Sequence, residues 1–443
     1  MAIKKTYILC SVLLIILIGI LIIISKDPSF VRVGLLFIGL ILLPAFIYYT
    51  YTYKGAFILF VFFSSFGIMN TDIKLFDLLF VIVAGLFFIG KKRKLQAMVD
   101  IRFINYSLLL FIIVSMLSVL SSNNIHEAVL YFIHTVFMIA IYYFLSITIR
   151  TRREFYSILW GYICTVLFST LAVIVQKAGI IGDIGTWFQG VRAQGFFMDP
   201  NDFSPFLILA IVLLIEKAFS YHCFSIKYIA FCSLAGLVIG VLLAGMSRAA
   251  ILNFGIVIVI YLFYTILYKK KYRQITMLVG VMGIIAAVLM LVVGDSILHY
   301  ILIRFSDSTD VLQSYDTDRF FYQRQGILLG STHLFGIGPG QFEIHFGYAT
   351  HNLFVRIIAE NGWISFLFFA IGVLYTLTFL FYYRKKEVWN LPVYLFLSVY
   401  IGVIINSFFL DTLHWRYLWF LMGLCTIIIN QASKNVLKKH LLH

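Results

Sequence analysis

Apolar runs of membrane-crossing length follow one another along this chain, divided by short basic clusters, and that pattern leaves few ways to fold. About 20 apolar residues make a helix that crosses the ~30 Å hydrocarbon core of a bilayer. Lipid admits only backbones whose N–H and C=O groups are satisfied internally. Composition agrees, because 62% of the 443 residues are hydrophobic and 12% are charged, more apolar surface than a soluble globule hides. The expected fold class is all-α, a polytopic membrane bundle of about 14 (12 to 14) transmembrane helices with one large outer loop.

Read in order, the spans are expected near Tyr7–Ile24, Val33–Tyr49, Ala56–Met69, Leu75–Ile89, Phe103–Leu120, Ala128–Ile149 and Phe155–Val175. They continue near Phe203–Ile215, Ile229–Ala244, Ala249–Leu267, Ile275–Val293, Leu353–Tyr382, Leu391–Phe409 and Leu418–Ile429. With these spans every basic cluster, at 91–94, 150–153, 269–273, 384–386 and 434–439, falls on one side. Cytoplasmic loops carry the excess of Lys and Arg, so that side is expected to be cytoplasmic and both termini with it. The net charge of +15 is accounted for by these loops, and no nucleic-acid partner is expected. The five cysteines are scattered without paired spacing, which gives neither a disulfide framework nor a zinc site. Met1–Lys5 and the run after it read as an uncleaved first helix, since no small-residue cleavage site follows. No fixed-period repeat is present, and the whole of 1–443 reads as one integral membrane domain.

The opposite side receives an outer loop over 176–202, a large outer loop over 294–352 and a short link at 406–416. A loop as long as the second is usually functional or disordered, and its aromatic residues and turn signals favour order. Polar residues converge on this side: Arg192, Arg248, Asp318, Arg319, Arg324, His351, Asn352, Asp411, His414 and Arg416. Arginine is unexpected there, and several together imply an anionic ligand, although any single one is equally well read as snorkelling to the headgroups. Gly336-Ile337-Gly338-Pro339-Gly340-Gln341-Phe342 lacks the Lys-Ser/Thr ending of a phosphate loop and reads as a turn returning the loop to the membrane. Asp316-Thr317-Asp318 has the Asp-x-Asp spacing of metal-dependent sugar transferases, but with Arg319 adjacent a salt-bridged loop is the preferred account, and no metal is expected. Asn352, Arg356 and Glu360 share one helical face, where the last two are spaced to pair.

Taken together these pieces resemble the O-antigen ligase and polymerase superfamily of polytopic glycosyltransferases. The resemblance covers 192–362: Arg192 with Gly195 and Pro200-Asn201, then Ser247-Arg248, Arg319, Gly336 to Phe342, and His351-Asn352 with Glu360 and Gly362. Two departures stand out, the acidic Asp318 before the loop arginine and Arg356 where an uncharged polar residue is usual.

The resemblance implies an enzyme of the cytoplasmic (inner) membrane of a bacterium that joins a polyprenyl-pyrophosphate-linked oligosaccharide to a glycan acceptor on the outer face. No cofactor is needed, because the donor arrives activated. Its implied site has His351, Arg248 and Arg319 in catalysis, with Arg192, Arg324, Asn352, Gln341 and Asp318 at substrate. A polymerase or capsule-type assembly enzyme is the preferred form, with a chain-length regulator as an optional partner. A ligase that delivers finished glycan to lipid A core or another acceptor remains the alternative, as does a flippase of the same lipid-linked glycan. Transporters, however, tend to show paired halves and polar residues at the midplane, and neither is found here.

Overall fold

In an apolar solvent a helix is the one element that closes its own hydrogen bonds, and among the described residues the runs read above form helices. The structure, a computed structural model, describes residue 80 and residues 101–178, 188–189, 192–284, 287 and 311–440, with 311–317 and 436–440 described by backbone alone. The first four expected spans and the cluster at 91–94 lie outside the described residues, as does most of the loop before 311.

The chain divides into two compact units, Met1–Lys94 with Thr151–Thr186, and Leu95–Arg150 with Trp187–His443. In the larger unit the helices are α1 (Arg102–Val119), α2 (Ile125–Thr148), α4 (Pro200–Phe219), α5 (Ile226–Ala244), α6 (Arg248–Lys269), α7 (272–284), α8 (Val311–Thr332), α9 (Gln341–Phe346), α10 (Leu353–Tyr382), α11 (Val393–Asn406) and α12 (Arg416–His440). In the smaller unit the described helix is α3 (Arg152–Lys177), opened by a capping box between Thr151 and Glu154. Two-residue hairpins, β1 (Phe188–Gln189) with β2 (Arg192–Ala193) and β3 (Glu387–Val388) with β4 (Leu391–Pro392), are antiparallel. Six described helices are long and apolar enough to cross a membrane, namely α1, α2, α3, α5, α6 and α10, so the protein is a multi-pass membrane protein.

Helix packing follows the logic of lipid, where small residues and interhelical hydrogen bonds replace the hydrophobic drive. Along the α1–α10 contact, Ser115 and Ser365 hydroxyls meet at 3.3 Å, and Gly372 faces Ser107 so closely that a Cβ would come within 2.8 Å of its hydroxyl. Between α6 and α11, Gly402 lies against Asn253. Helix α4 is buried almost all round, which places it at the centre of the larger unit. At one end of that unit a buried polar knot ties α4, α6 and the second hairpin: Lys269 bridges Glu216 at 2.8 Å and Glu387 at 3.0 Å, while the Tyr261 hydroxyl donates to Glu216 at 2.7 Å. Basic residues of 150, 269–273 and 384 close the same ends of α2, α6 and α10, and the opposite ends of these helices carry the candidate site.

Helix α10 is broken at Gly362, which sits at φ 82° and ψ 170°. The segment after the break, 363–382, is about 30 Å long at ~1.5 Å per residue, the hydrocarbon thickness. The segment before it, 353–361, receives residues 337 and 338 through backbone hydrogen bonds. Only glycine fits the break, because a Cβ there would lie 2.2 Å from the Leu334 carbonyl oxygen. We expect Gly362→Ala to lower stability by about 1–3 kcal/mol, from left-handed backbone strain together with a clash against backbone. Gly255→Ala, on an exposed face of α6 with nothing within 4 Å, should stay within about 0.5 kcal/mol of the parent. Thermal unfolding in detergent distinguishes the two, and equal loss in both would refute the packing account.

Candidate functional site

Two junctions at the non-basic end of the larger unit are built alike. Each has a left-handed residue, then a capping residue, then a helix: Met246 (φ 49°), Ser247 and α6 in one, His351 (φ 47°), Asn352 and α10 in the other. Positive φ is uncommon for side-chain-bearing residues and tends to collect at functional sites, where the surrounding structure enforces it. At the first junction the Ser247 hydroxyl accepts from Ala250 N–H at 3.4 Å, and Arg248 becomes the first residue of α6. At the second the Asn352 side chain accepts from both Phe354 and Val355 N–H at 3.0 and 3.1 Å. Asn352 is therefore a helix cap that fixes the turn carrying His351.

Arg192 secures the first junction. Its Nε donates to the Gly245 carbonyl at 3.2 Å and its Nη2 to the Asn201 side chain at 2.9 Å, joining the first hairpin, the end of α5 and the start of α4. Asp199 caps α4 through Asn201 N–H at 2.8 Å. Arg248 itself is half-buried and has no bonding partner among the described residues. Arg319 is half-buried on α8, and Asp318 and Arg324 occupy exposed positions of the same helix. The stretch expected as a salt-bridged loop is thus helical in the structure, and Asp318 makes no ion pair with Arg319. Once α8 forms, neighbouring side chains on a helix point in different directions.

The Gly-rich turn at 336–340 docks on α10 through backbone. Ile337 and Gly338 N–H groups donate to the Ala359 and Glu360 carbonyls at 3.0 and 2.9 Å. The Glu360 carboxylate accepts from Gly340 N–H at 2.9 Å and Phe342 N–H at 3.3 Å. At Gly340, with φ 72°, a Cβ would fall 2.4 Å from the Tyr131 ring. Gln341 spends both amide atoms on Asn124, accepting from its N–H at 3.2 Å and donating to its carbonyl at 3.3 Å. The turn is a structural bracket between the α1–α2 link and the broken helix.

Arg356 sits at the hub. Its Nε donates to Glu360 at 3.2 Å and its Nη1 to Glu343 at 3.3 Å and to Asp411, so the pair with Glu360 expected from i,i+4 spacing is present. The guanidinium lies 5.5 Å from the Tyr131 ring centre. His414 accepts or donates through Nε2 with the Thr135 hydroxyl at 3.0 Å and stacks flat on His134 at 4.8 Å. Sequence reasoning had no signal for Glu343, Tyr131 or His134, whose partners come from distant helices.

Electrostatics ties the parts together. Burial and then Arg319 push the His351 imidazole below its usual value, against the pull of Asp411 and Asp199. Burial works against the Asp411 carboxylate, but Arg356 outweighs it and holds the group below the usual range. His414 is pushed down to about 3 by burial and Arg356. Among the described residues no group of three His, Cys, Asp or Glu is arranged to hold a metal.

An unfolded histidine titrates near about 6.5, so as pH falls below that value the unfolded chain takes up a proton that folded His414 and His351 resist. Stability is therefore lost progressively on acidification. Thermal unfolding midpoints at pH 7.5 and 5 should fall for the parent and fall less for His414→Gln, which keeps a partner for Thr135. An equal drop in both would disprove the assignment.

Residues 233–370 match the family described as O-antigen ligase. The matched span begins in α5 and ends in α10, taking in Arg248, Arg319, the Gly-rich turn, His351 and Gly362, while Arg192 lies before it. A comparison with curated proteins found no match.

Proposed function

We propose that this chain, whose residues 233–370 match the O-antigen ligase family, is a glycosyltransferase working on the outer face of the cytoplasmic membrane, with both termini in the cytoplasm. It joins a polyprenyl-pyrophosphate-linked oligosaccharide to a glycan acceptor, in the manner of a polysaccharide polymerase. The observation that carries this is His351: a half-buried imidazole on a strained turn, its pKa lowered by burial and Arg319, at the end of the bundle where Arg248 has no bonding partner among the described residues.

In the proposed step a ring nitrogen of His351 takes the proton of an acceptor hydroxyl as its oxygen attacks the anomeric carbon from the side opposite the leaving group. The bond from that carbon to the pyrophosphate oxygen breaks, and its electron pair leaves with polyprenyl pyrophosphate. The configuration inverts. Arg248 and Arg319 balance the charge that builds on the leaving group, since guanidinium forks match phosphate oxygens and stay charged, and no metal is required. Arg192 holds the turn that presents Arg248, and Arg324 on α8 extends the cationic side. Asn352 sets the His351 turn, Gln341 secures the Gly-rich turn to Asn124, and Asp318, on α8 next to Arg319, lies on the cationic side.

Purified protein given the lipid-linked oligosaccharide in EDTA should yield a longer glycan. His351→Ala should reduce the rate by about 10²–10⁴, the range for loss of a general base, and Arg248→Ala should also abolish most transfer. The acid limb of the rate profile should have its midpoint below about 6.5, because a lowered His351 pKa keeps the base neutral further into acid. Unchanged glycan together with movement of the lipid across liposomes would replace the transferase with a transporter. Transfer to a separate glycan acceptor without chain lengthening would make the enzyme a ligase.

A further inference from the structure

Arg356 and its neighbours form a second polar site whose charge is opposite to that of the arginine side. Three carboxylates, Glu343, Glu360 and Asp411, surround one guanidinium. Arg416 also acts on His414, and the three carboxylates still outnumber these two cations. A pyrophosphate is repelled from such a place, whereas sugar hydroxyls, which both donate and accept, suit it.

The site also has unspent hydrogen-bonding capacity. Arg356 is only 6% exposed, yet its Nη2 is buried without a hydrogen-bond partner. A buried donor left so costs about 1–3 kcal/mol and asks for an explanation such as a missing ligand or water. Beside it the Glu343 side chain remains 40% exposed and has committed one oxygen, Oε1, to Arg356. His134 is exposed and lies parallel to His414 within 8°, and the His414 ring in turn meets Tyr131 edge-on at 5.7 Å. Flat rings beside a few convergent polar groups are the usual make-up of a small-molecule site.

His351 adjoins both groups: Arg319 of α8 and Asp411, the partner of Arg356, both act on its imidazole, as does Asp199.

We propose that Tyr131, His134, Glu343, Arg356 and His414 form the acceptor subsite, which takes an uncharged sugar of the acceptor glycan and presents its hydroxyl to His351. This inference rests on the transferase function above. Arg356 Nη2 and the second Glu343 oxygen bind adjacent hydroxyls, and the sugar's apolar face lies on the His134 ring. The donor pyrophosphate is confined to the opposite, cationic side.

The test uses the full-length protein in lipid nanodiscs with two probes: inorganic pyrophosphate, and the oligosaccharide freed by mild acid from the lipid carrier that accumulates in cells lacking this protein. Glu343→Gln and His134→Ala should each weaken oligosaccharide binding about tenfold or more, ~1.4 kcal/mol, and leave pyrophosphate binding unchanged. Arg248→Ala should do the reverse. Both variants change exposed or half-exposed side chains, and unfolding midpoints check that they fold. Unaltered oligosaccharide binding in both, loss of pyrophosphate binding in Glu343→Gln, or no oligosaccharide binding by an active parent overturns the subsite and leaves the transferase standing. A parent that forms no glycosidic bond overturns both.

Discussion

The Glu360 carboxylate, buried at the break in α10, is the interaction on which the site-bearing end of the larger unit depends. A carboxylate in a low-dielectric interior is tolerated only when it is paired and hydrogen-bonded. Here Arg356 supplies the charge, and the N–H groups of Gly340 and Phe342 supply the bonds. Through that one group, the broken helix, the Gly-rich turn and the start of α9 become a single rigid body. Gln341 then fixes the body to Asn124, and Arg356 extends it to Asp411. Breaking a buried pair by removing one partner typically costs about 3–5 kcal/mol. The glycines around it are consequences: at Gly336 a Cβ would lie 2.4 Å from the Glu360 backbone, and at Gly362 it would meet Leu334.

Much of this was legible in the sequence, for definite reasons. Among the described residues helices appear where apolar runs were read, and α10 has the expected bounds of Leu353–Tyr382, because length and hydropathy are the terms that decide helix formation in lipid. The i,i+4 relation between Arg356 and Glu360 is a property of helical spacing and needed no tertiary information. The Gly336–Gly340 stretch was recognisable as a turn, since glycine and proline encode turns locally. Other features were not written in any local pattern. Glu343 meets Arg356 only because α9 docks on α10, and His134 meets His414 only because α2 passes the α11–α12 link. Residues 316–319 were read as loop from their polarity, yet they lie in α8, where tertiary contacts such as Tyr322 on Tyr348 at 4.7 Å outweigh composition.

The two departures from the family pattern acquire different meanings in this geometry. Asp318 is exposed and forms no ion pair or hydrogen bond among the described residues, so its effect on Arg319 is weak and screened by water. Arg356 is different, because three carboxylates with no cation among them would repel one another and force protonation of at least one. A neutral residue at 356 would require that Glu343, Glu360 or Asp411 also change. The cation and its carboxylates therefore form a co-dependent set, and a swap at 356 alone should cost more than the loss of one surface pair.

A transferase on a face without nucleotide must bring two polar substrates together at the edge of an apolar solvent, and keep each out of the other's place. Field sign is an economical way to do so. Electrostatic interactions gain strength where water is excluded, so a few fixed charges suffice to separate a pyrophosphate from a sugar. In the arrangement proposed above the division falls at the His351 turn, with Arg248 and Arg319 serving the pyrophosphate and the Arg356 cluster serving the sugar. The turn's left-handed backbone fits that demand: a base that must meet two substrates from opposite directions cannot sit on the regular face of a helix, and the residue just before the Asn352 cap is the nearest position that lies outside it.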